Sequence, residues 1–216
     1  LFIKKLQKLR CIVISGGKIS NKLLESSKKL NLNIFISYGM TESCSSVCGF
    51  WPFQEESFIG SVGKPFDGVN IYTKKNKIVI QSDTIMHSYY NHKPNKGHLE
   101  TEDIGEIIDD YIYIKGRNDN IVISGGENIN PIEVEECLMN VSGISDAAVV
   151  GVEDDEWGQK VVAYVVNDES RIENCDIRSE LKAKITGYKI PKEFISVPEI
   201  PRNEIGKIVY SKLRAL

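Results

Sequence analysis

Reactive side chains are concentrated just after a short apolar run near residue 36. Residues 36–43 read ISYGMTES, so Tyr38, Thr41 and Glu42 follow the apolar run at residues 34–36. In an open parallel sheet, ligands bind in the crevice beyond the carboxyl ends of the strands. A ring, a hydroxyl and a carboxylate delivered there therefore indicate ligand-contacting groups. An ordinary polar turn is the alternative interpretation, because Thr and Ser also serve turns.

A second polar loop precedes this stretch. The apolar run at residues 11–14 ends at a serine followed by Gly16 and Gly17. The segment between the two runs has a helical pattern, with apolar residues on one face at Ile19, Leu23 and Leu30. Strand, helix and strand in this order predict a parallel βαβ unit. The Gly16–Gly17 loop and residues 38–42 would then meet at one sheet edge, where a single ligand contacts both.

The composition restricts the classes of partner. The chain has 216 residues, of which 41% are hydrophobic and 26% charged, which is typical of a globular protein. A net charge of −3 and a pI near 5.7 provide no broad basic field for nucleic acid or an anionic membrane. No apolar run approaches the ~20 residues that cross a bilayer. We therefore expect neither nucleic acid nor an integral membrane segment.

The cysteines predict a reducing compartment. Five cysteines stand at scattered positions, namely Cys11, Cys44, Cys48, Cys137 and Cys175. An odd, scattered set without a signal peptide predicts free thiols and a cytoplasmic protein. The chain begins LFIKKLQKLR, without an initiating Met, which suggests the carboxyl-terminal part of a longer protein.

The remaining residues predict a β-rich segment and then a mixed segment. Residues 60–115 contain short alternating runs broken by turn residues, which predict an antiparallel or barrel-like subdomain. The polar sequence GRNDN follows at residues 116–120, and the pattern changes there, so we expect a domain boundary near Asp119. Downstream, Asn130, Pro131 and Glu133 predict the start of a helix, with Val134, Leu138 and Val141 on one face and Gly143 at its end. We then predict strands at residues 147–152 and 161–166. A second helix is predicted at about residues 175–186, with Ile177, Leu181 and Ile185 on one face.

Seven motifs in order carry a resemblance to a known family. They read VISGG, SYGMTES, GSVGKP, TEDIG, GRNDNIVISGGENINPIEVE, GYKIP and PRNEIGKI. In this order they resemble the adenylate-forming superfamily, which includes acyl-CoA synthetases, adenylation domains of peptide synthetases and beetle luciferases. The chain is most similar to the carboxyl-terminal part of acid-CoA ligases of the fatty-acyl or succinylbenzoate type. The implied fold is α/β and α+β: residues 1–118 would end a large domain with a βαβ unit and a β-barrel-like subdomain, and residues 119–216 would form a small mobile α+β domain.

The resemblance implies a two-step reaction. A carboxylate attacks the α-phosphate of ATP to give acyl-AMP and pyrophosphate, and the thiol of coenzyme A then displaces AMP. Tyr38 would stack on adenine, Gly17 would let the ring approach the backbone, and Thr41 would hydrogen-bond phosphate. Glu42 would hold Mg²⁺, whose other ligands are waters and phosphates. Lys207 would bring positive charge to the attacking carboxylate and the α-phosphate.

The remaining implied roles concern ribose binding and motion. Asp103 would accept the ribose hydroxyls, Arg117 would help fix the ribose, and Asp119 would be a hinge. The implied nucleotide-binding set is Gly16, Gly17, Tyr38, Gly39, Thr41, Asp103, Arg117, Gly125 and Gly126. The implied catalytic set is Thr41, Glu42 and Lys207.

Several residues also have plain structural interpretations. Lys207 alone is an ordinary exposed lysine, and Asp103 with Arg117 would be a weak surface ion pair. Trp51 and Trp157 are expected to serve packing. The three histidines, at His87, His92 and His98, are expected on the surface or in loops.

Three features depart from the family pattern. Glu102 stands where relatives carry Gly beside the ribose Asp. His98 stands near the position, a few residues earlier, at which relatives carry an aromatic residue. A carboxylate beside Asp103 would repel phosphates if it pointed inward. Lys18 follows Gly17, where a small residue is common. The Ser/Thr/Gly-rich loop that holds the β- and γ-phosphates in relatives is absent from these residues, as is most of the acyl pocket.

Other functions stay open at this point. An adenylation domain that loads a carrier protein would use the same nucleotide residues, and a non-catalytic nucleotide-binding remnant would explain the altered ribose motif. The sequence does not identify the carboxylic acid. It also leaves a homodimer open.

Overall fold

The computed structural model describes residues 2–17, 19–167, 174–204 and 206–215. Lys18 and the side chain of Cys175 therefore lie outside the described residues. The chain divides into two compact units, Leu1–Lys115 and Gly116–Leu216. The boundary expected near Asp119 stays a prediction, because a division by contacts does not define a hinge.

The first unit opens with a four-stranded sheet. Its elements are helix α1 (Phe2–Leu6), strand β1 (Ile12–Ile14), helix α2 (Asn21–Lys29), and strands β2 (Ile34–Met40), β3 (Ser45–Phe50) and β4 (Lys64–Pro65). The strand order is β1-β2-β3-β4. β1 and β2 run parallel, whereas β3 is antiparallel to both β2 and β4. The predicted βαβ unit is confirmed, because α2 connects two parallel strands.

The predicted inner face of α2 is wrong. Leu23 and Leu30 are 49% and 37% exposed, whereas Leu24 and Ser27 are each 4% exposed. The helix begins after Ser20, whose side chain accepts a hydrogen bond from the Leu23 N–H. The predicted face was extrapolated from Ile19, which precedes this cap and lies outside the helix. The buried leucine is therefore Leu24, one position after the predicted Leu23.

The second sheet of the first unit is antiparallel. It consists of β5 (Asn70–Lys74), β6 (Lys77–Gln81), β7 (His98–Ile108) and β8 (Tyr111–Arg117), in that order. The β5–β6 and β7–β8 connections each contain two adjacent residues with positive φ, as in type I′ hairpins. Ile78, Ile80 and Ile112 are completely buried in this sheet and pack with Val47 of β3. The predicted antiparallel subdomain is confirmed.

The second unit is a five-stranded sheet with helices. Its elements are β9 (Val122–Ser124), β10 (Glu127–Ile129), α3 (Pro131–Leu138), β11 (Ile144–Asp154), β12 (Gly158–Asn167), α4 (Asn174–Lys182), β13 (Glu193–Ser196) and α5 (Tyr210–Leu213). The order is β10-β9-β12-β11, and β13 pairs in parallel with β12.

No helix within the described ranges is long and apolar enough to cross a membrane.

The long β11–β12 hairpin is buried on both faces, which explains its nearly continuous apolar sequence. On one face Val149 and Ala163 pack against α3 and α4, through a cluster that includes Leu138. On the other face Val150 packs in a cluster with Leu213 of α5. The predicted strands lie inside β11 and β12, which extend further at both ends.

Both predicted helices of this unit form, but the predicted end of the first is wrong: α3 ends at Leu138, so Val141 and Gly143 lie beyond it. The Asn130 side chain accepts from the Ile132 N–H at 3.1 Å and Pro131 opens α3, as the capping residues predicted. α4 ends at Lys182, earlier than predicted, and Ile177 and Leu181 are completely buried.

Side-chain expectations outside the site are mostly met. Cys11, Cys44, Cys48 and Cys137 are free thiols, and all three histidines are exposed. Trp51 packs edge-on against Phe35 with ring centroids 5.0 Å apart.

One carboxylate in the second unit turns inward. Glu135 on α3 is half-buried as a whole residue, but its Oε1 accepts from the Val149 N–H at 2.8 Å and from the Tyr210 hydroxyl at 3.4 Å. Burial of the carboxylate raises the pKa of Glu135 from 4.5 to about 7; nearby Asp146 adds to the rise, and Arg202 opposes it. The native state therefore favours the protonated form of this side chain.

This pKa predicts a pH-dependent stability. Because the folded pKa of Glu135 lies above the unfolded value, its contribution is complete below pH 4.5 and is lost as pH rises through about 7. Glu135→Gln keeps an acceptor for Val149 and removes the ionisation, so it should stabilise the protein at pH 8 by at most roughly 3 kcal/mol. Urea unfolding of both proteins between pH 5 and pH 8 measures the difference.

Glu153→Gln is the matched control, because Glu153 is an exposed glutamate of the same unit. The control should follow the parent protein at every pH. A Glu135→Gln protein whose stability falls with pH as steeply as that of the parent would contradict the assignment.

Candidate functional site

The polar stretch after residue 36 continues the strand rather than leaving it. β2 runs to Met40, so Tyr38 and Gly39 lie within the strand, and a single 3-10 turn, Thr41–Ser43, follows. The expectation that residues 38–42 form a loop is therefore wrong in its first part. β3 extends the pairing, since Gly39 and Met40 face Ser46 and Ser45 in the antiparallel ladder.

Gly39 is required by this pairing. A Cβ at Gly39 would lie 1.9 Å from the Ser45 carbonyl oxygen, which no side chain could tolerate. The turn that follows is closed by Ser43, whose Oγ accepts from the Met40 N–H at 3.1 Å and donates to the Ser45 carbonyl at 2.8 Å. Thr41 and Glu42 are thus fixed on a rigid turn.

A cavity opens where the ends of β1 and β2 meet. Its volume is about 390 Å³, and it is lined by Ser15, Gly39, Met40, Thr41, Cys44, Ser45 and Ser46. The two chain segments that follow the parallel strands therefore share one cavity, as the topology predicts. Ser15 was not among the predicted site residues. Gly16 and Gly17 are exposed beside it, and nothing lies within 4 Å of a Cβ at Gly17.

Tyr38 and Asp103 are hydrogen-bonded to each other. The Tyr38 hydroxyl donates to Asp103 Oδ2 at 2.5 Å, and the Asp103 N–H donates to Thr101 Oγ1 at 3.1 Å. Burial, followed by the negative charge of Asp103, raises the pKa of Tyr38, so its hydroxyl stays a neutral donor. Asp103 is only 7% exposed, so the interpretation as a surface ion pair does not describe it.

Glu102 faces away from Asp103. Side chains alternate along β7, and both carboxylate oxygens of Glu102 accept from Lys77 Nζ, at 2.9 and 2.8 Å. The departure at Glu102 therefore places no charge beside Asp103. His98, at the start of β7, lies with its Nδ1 3.5 Å from the Tyr72 hydroxyl.

Glu42 is half-buried and is held from a distant segment. Its Oε1 accepts a hydrogen bond from the Tyr89 hydroxyl, and its carbonyl accepts from the Met86 N–H at 2.8 Å. The hydrogen bond from its hydroxyl to Glu42 raises the pKa of Tyr89. No sequence pattern identifies Tyr89, which lies 47 positions away in an irregular segment.

Glu42 is the acidic side chain of the Thr41–Ser43 turn. Among the described residues, no three His, Cys, Asp or Glu side chains form a metal-binding group. A single carboxylate suits Mg²⁺ whose remaining ligands are waters and phosphate oxygens.

In the second unit, Arg117 and Asp119 form a two-point ion pair. Arg117 Nε and Nη2 donate to the two oxygens of Asp119 at 2.9 and 2.7 Å, around the 3-10 turn Asn118–Asn120. Both side chains are about half exposed. The residue predicted to bind ribose and the predicted hinge residue are therefore direct partners here.

The Gly125–Gly126 loop turns tightly between β9 and β10. Both glycines have positive φ, and the Gly125 N–H donates to the Trp157 carbonyl at 2.9 Å. A Cβ on Gly125 would lie 2.8 Å from the Trp157 indole. Trp157 is 37% exposed, and Lys192 Nζ lies 4.0 Å from its ring centroid. Its indole packs against the glycine loop, which agrees with the expected packing role.

Lys207 is exposed on a short hairpin. Arg202 and Ile208 form an antiparallel bridge, and the Gly206 N–H donates to the Asn203 carbonyl at 2.9 Å across the turn. Gly206 has a φ of +81°, which favours glycine at this position.

Comparisons with known proteins match both units. Residues 2–90 match the family model for AMP-binding enzymes, and residues 133–207 match the model for the AMP-binding enzyme C-terminal domain. A 2-succinylbenzoate–CoA ligase from Bacillus licheniformis is 35% identical over 222 residues, which cover 95% of this chain and 46% of the relative.

Two solved structures of o-succinylbenzoate CoA synthetase from Bacillus subtilis are also similar. The complex with the acyl-adenylate OSB-AMP gives a TM-score of 0.82 at 31% identity, covering 95% of this chain and 46% of that chain. The complex with ATP and magnesium ion gives 0.83 at 29% identity, covering 99% and 49%.

The chain spans about half the length of the curated relatives it matches, 46% in the example above. The predicted resemblance is confirmed by both family models, which together cover the βαβ unit and most of the second unit. The chain belongs to the adenylate-forming AMP-binding enzymes and carries their C-terminal domain.

Proposed function

We propose that the protein containing this chain is an ATP-dependent acid-CoA ligase whose acid is 2-succinylbenzoate. The observation that carries the proposal is the convergence at the end of β2, where Thr41 lines the cavity and is followed by Glu42, and where Tyr38, which precedes the lining residue Gly39, is bonded to Asp103. The curated relatives, which are 2-succinylbenzoate–CoA ligases, support the choice of acid. We also propose a cytoplasmic location, which the free thiols of Cys11, Cys44, Cys48 and Cys137 support.

The proposed adenylation step uses the residues of the β2 end for positioning. Thr41 is exposed at the cavity and would donate its hydroxyl to phosphate. Glu42 would hold Mg²⁺, which neutralises phosphate charge when bound. Phosphoryl transfer needs mainly positioning and charge neutralisation, and a threonine and a carboxylate fixed on a rigid turn meet that need.

Tyr38 and Asp103 would form the nucleoside part of the site. The neutral Tyr38 hydroxyl donates to Asp103 Oδ2 and so orients the carboxylate, which would accept hydrogen bonds from the ribose hydroxyls. The face of the Tyr38 ring would stack on adenine. Arg117 would bind ribose only after exchanging its present partner, Asp119.

Lys207 and the Gly125–Gly126 loop lie at opposite ends of one ribbon. The Lys207 hairpin is tied to Asp146 near the start of β11, whereas the glycine loop is tied to Trp157 beyond its end. Eight residue steps of strand separate Asp146 from Asp154, roughly 25 Å. One unit could present both groups to the same acyl group only by rotating. We therefore propose Asp119 as the hinge between the two steps.

The alternative functions are less well supported. The relatives are named as CoA ligases, so coenzyme A is preferred over a carrier protein as acceptor. A non-catalytic remnant would account for the altered ribose motif and for the missing phosphate loop. The retained Glu42, Arg117 and Lys207 speak against it, and Glu102 bonds Lys77 rather than facing Asp103. A homodimer stays a prediction.

Substrate selection tests the proposed function directly. With the full-length protein, Mg²⁺ and ATP, 2-succinylbenzoate should release pyrophosphate at least roughly 10-fold faster than octanoate or palmitate. Product analysis with coenzyme A should show the corresponding thioester. Preference for a fatty acid would support the fatty-acyl type, and pyrophosphate release by none of the acids would support the remnant.

Lys207 provides a test of the adenylation step. If Lys207 stabilises charge only in that step, Lys207→Ala should slow acyl-AMP formation by roughly 100-fold or more, as for the loss of one electrostatic donor. A supplied acyl-AMP should still react with coenzyme A at nearly the parent rate. The matched control is Lys212→Ala, since Lys212 is an exposed lysine of the same unit. Equal losses in the two half-reactions would count against the role.

Asp119→Pro tests the hinge. A residue in a 3-10 turn has a φ near −60°, and proline fixes φ near −65°, so the substitution should prevent position 119 from changing its φ. We expect acyl-CoA formation to fall much more than acyl-AMP formation. Asp119→Ala removes the same ion pair to Arg117 but leaves φ free, so it separates rigidity from charge. Unimpaired acyl-CoA synthesis by a folded proline variant would refute the hinge.

A further inference from the structure

The backbone of Lys207 is held on both sides by one residue. The Lys207 N–H donates to Asn203 Oδ1 at 2.9 Å, and the Lys207 carbonyl accepts from the Asn203 N–H at 2.9 Å. The side chain and the backbone of Asn203 thus bind the two polar backbone groups of Lys207. Asparagine suits this position because its side chain readily bonds the backbone of a turn.

Arg202 ties this turn to the central sheet. Its Nη1 donates to the Gly206 carbonyl at 3.0 Å, and its Nη2 lies 2.9 Å from each carboxylate oxygen of Asp146 on β11. One planar guanidinium therefore bridges the residue directly before Lys207 and a strand of the core. The Arg202 and Asp146 side chains are 40% and 31% exposed, so the pair contributes little to stability.

The base of the hairpin is anchored independently. The Val209 N–H donates to the Pro201 carbonyl at 2.9 Å, and α5 follows with Leu213 completely buried. The Tyr210 hydroxyl reaches Glu135 on α3. The hairpin would therefore stay folded without Arg202, and the guanidinium acts mainly on the tip.

We infer that Arg202 and Asn203 are positioning residues for Lys207: Asn203 fixes its backbone, and Arg202 fixes the turn against Asp146. The inference rests on the proposed function of Lys207 in adenylation. Lysine is a compact charge on a flexible four-carbon stem, so its ammonium reaches a defined point only if the backbone beneath it is fixed. A displacement of about 1 Å at a reacting group can cost roughly 100-fold in rate.

The test compares single and double variants in the full-length protein, with 2-succinylbenzoate and ATP as substrates. Arg202→Ala and Asn203→Ala should each lower the kcat of adenylation by roughly 10-fold to 100-fold, with little change in the KM for ATP. The reaction of supplied acyl-AMP with coenzyme A should be unchanged. Asn203→Asp keeps the acceptor for the Lys207 N–H and should retain most of the rate.

The decisive measurement is Arg202→Ala in a Lys207→Ala background. If Arg202 acts through Lys207, the second substitution should cause no further loss. Lys160→Ala is the control, because it removes the Lys160–Glu193 ion pair, which is comparably exposed and lies elsewhere on the same sheet. It should leave both half-reactions unchanged.

The outcomes separate this inference from the proposed function. If Lys207→Ala leaves adenylation intact, both the role of Lys207 and the inference are overturned. If Lys207→Ala slows adenylation but Arg202→Ala does not, or slows it equally in both backgrounds, only the positioning role is overturned. A loss of both half-reactions together with a lower unfolding temperature would show a structural role and would also overturn it.

Discussion

The hydrogen bond between Tyr38 and Asp103 joins the two sheets of the first unit at the candidate site. Tyr38 lies on β2 of the first sheet and Asp103 on β7 of the second. A nearly buried carboxylate must be hydrogen-bonded, since an unsatisfied one costs several kcal/mol (about 2 to 7 for even a neutral polar group). The bond therefore fixes both strands, and Thr41 and Glu42, which follow Tyr38 along the chain, take their positions from it.

The sequence predicted the second unit better than the first for a physical reason. The capping residues Asn130 and Pro131 act locally, so their types define the start of α3 without reference to the rest of the molecule. The β11–β12 ribbon is buried on both faces and reads as two apolar runs. In α2 two adjacent leucines compete for the inner face, and only the cap at Ser20 and the packing of Leu24 decide between them. Periodicity alone does not contain that information.

The site shows the same division between local and non-local information. The opposite orientation of Glu102 and Asp103 follows from the alternation of side chains along any strand, so it is predictable once that segment is recognised as a strand. The contact between Glu42 and Tyr89 is not, because it joins positions 47 apart through an irregular segment. The motif around Gly39 indicated a glycine close to a ligand, whereas the structure shows the β3 backbone as the neighbour that excludes a side chain. A motif therefore identifies which residues matter more reliably than it identifies what each one contacts.

The rigidity of the β11–β12 ribbon determines how the second unit can act. The two strands pair along almost their whole length, and clusters of apolar side chains cover both faces. A ribbon packed in this way resists bending, because any bend would open the close-packed core on one face. The exposed groups at its two ends, Lys207 and the Gly125–Gly126 loop, are each held to it by only a few hydrogen bonds. The distance between them along the ribbon is therefore fixed. If first one end and then the other is to meet a ligand, the change in backbone conformation must occur at residues outside this sheet.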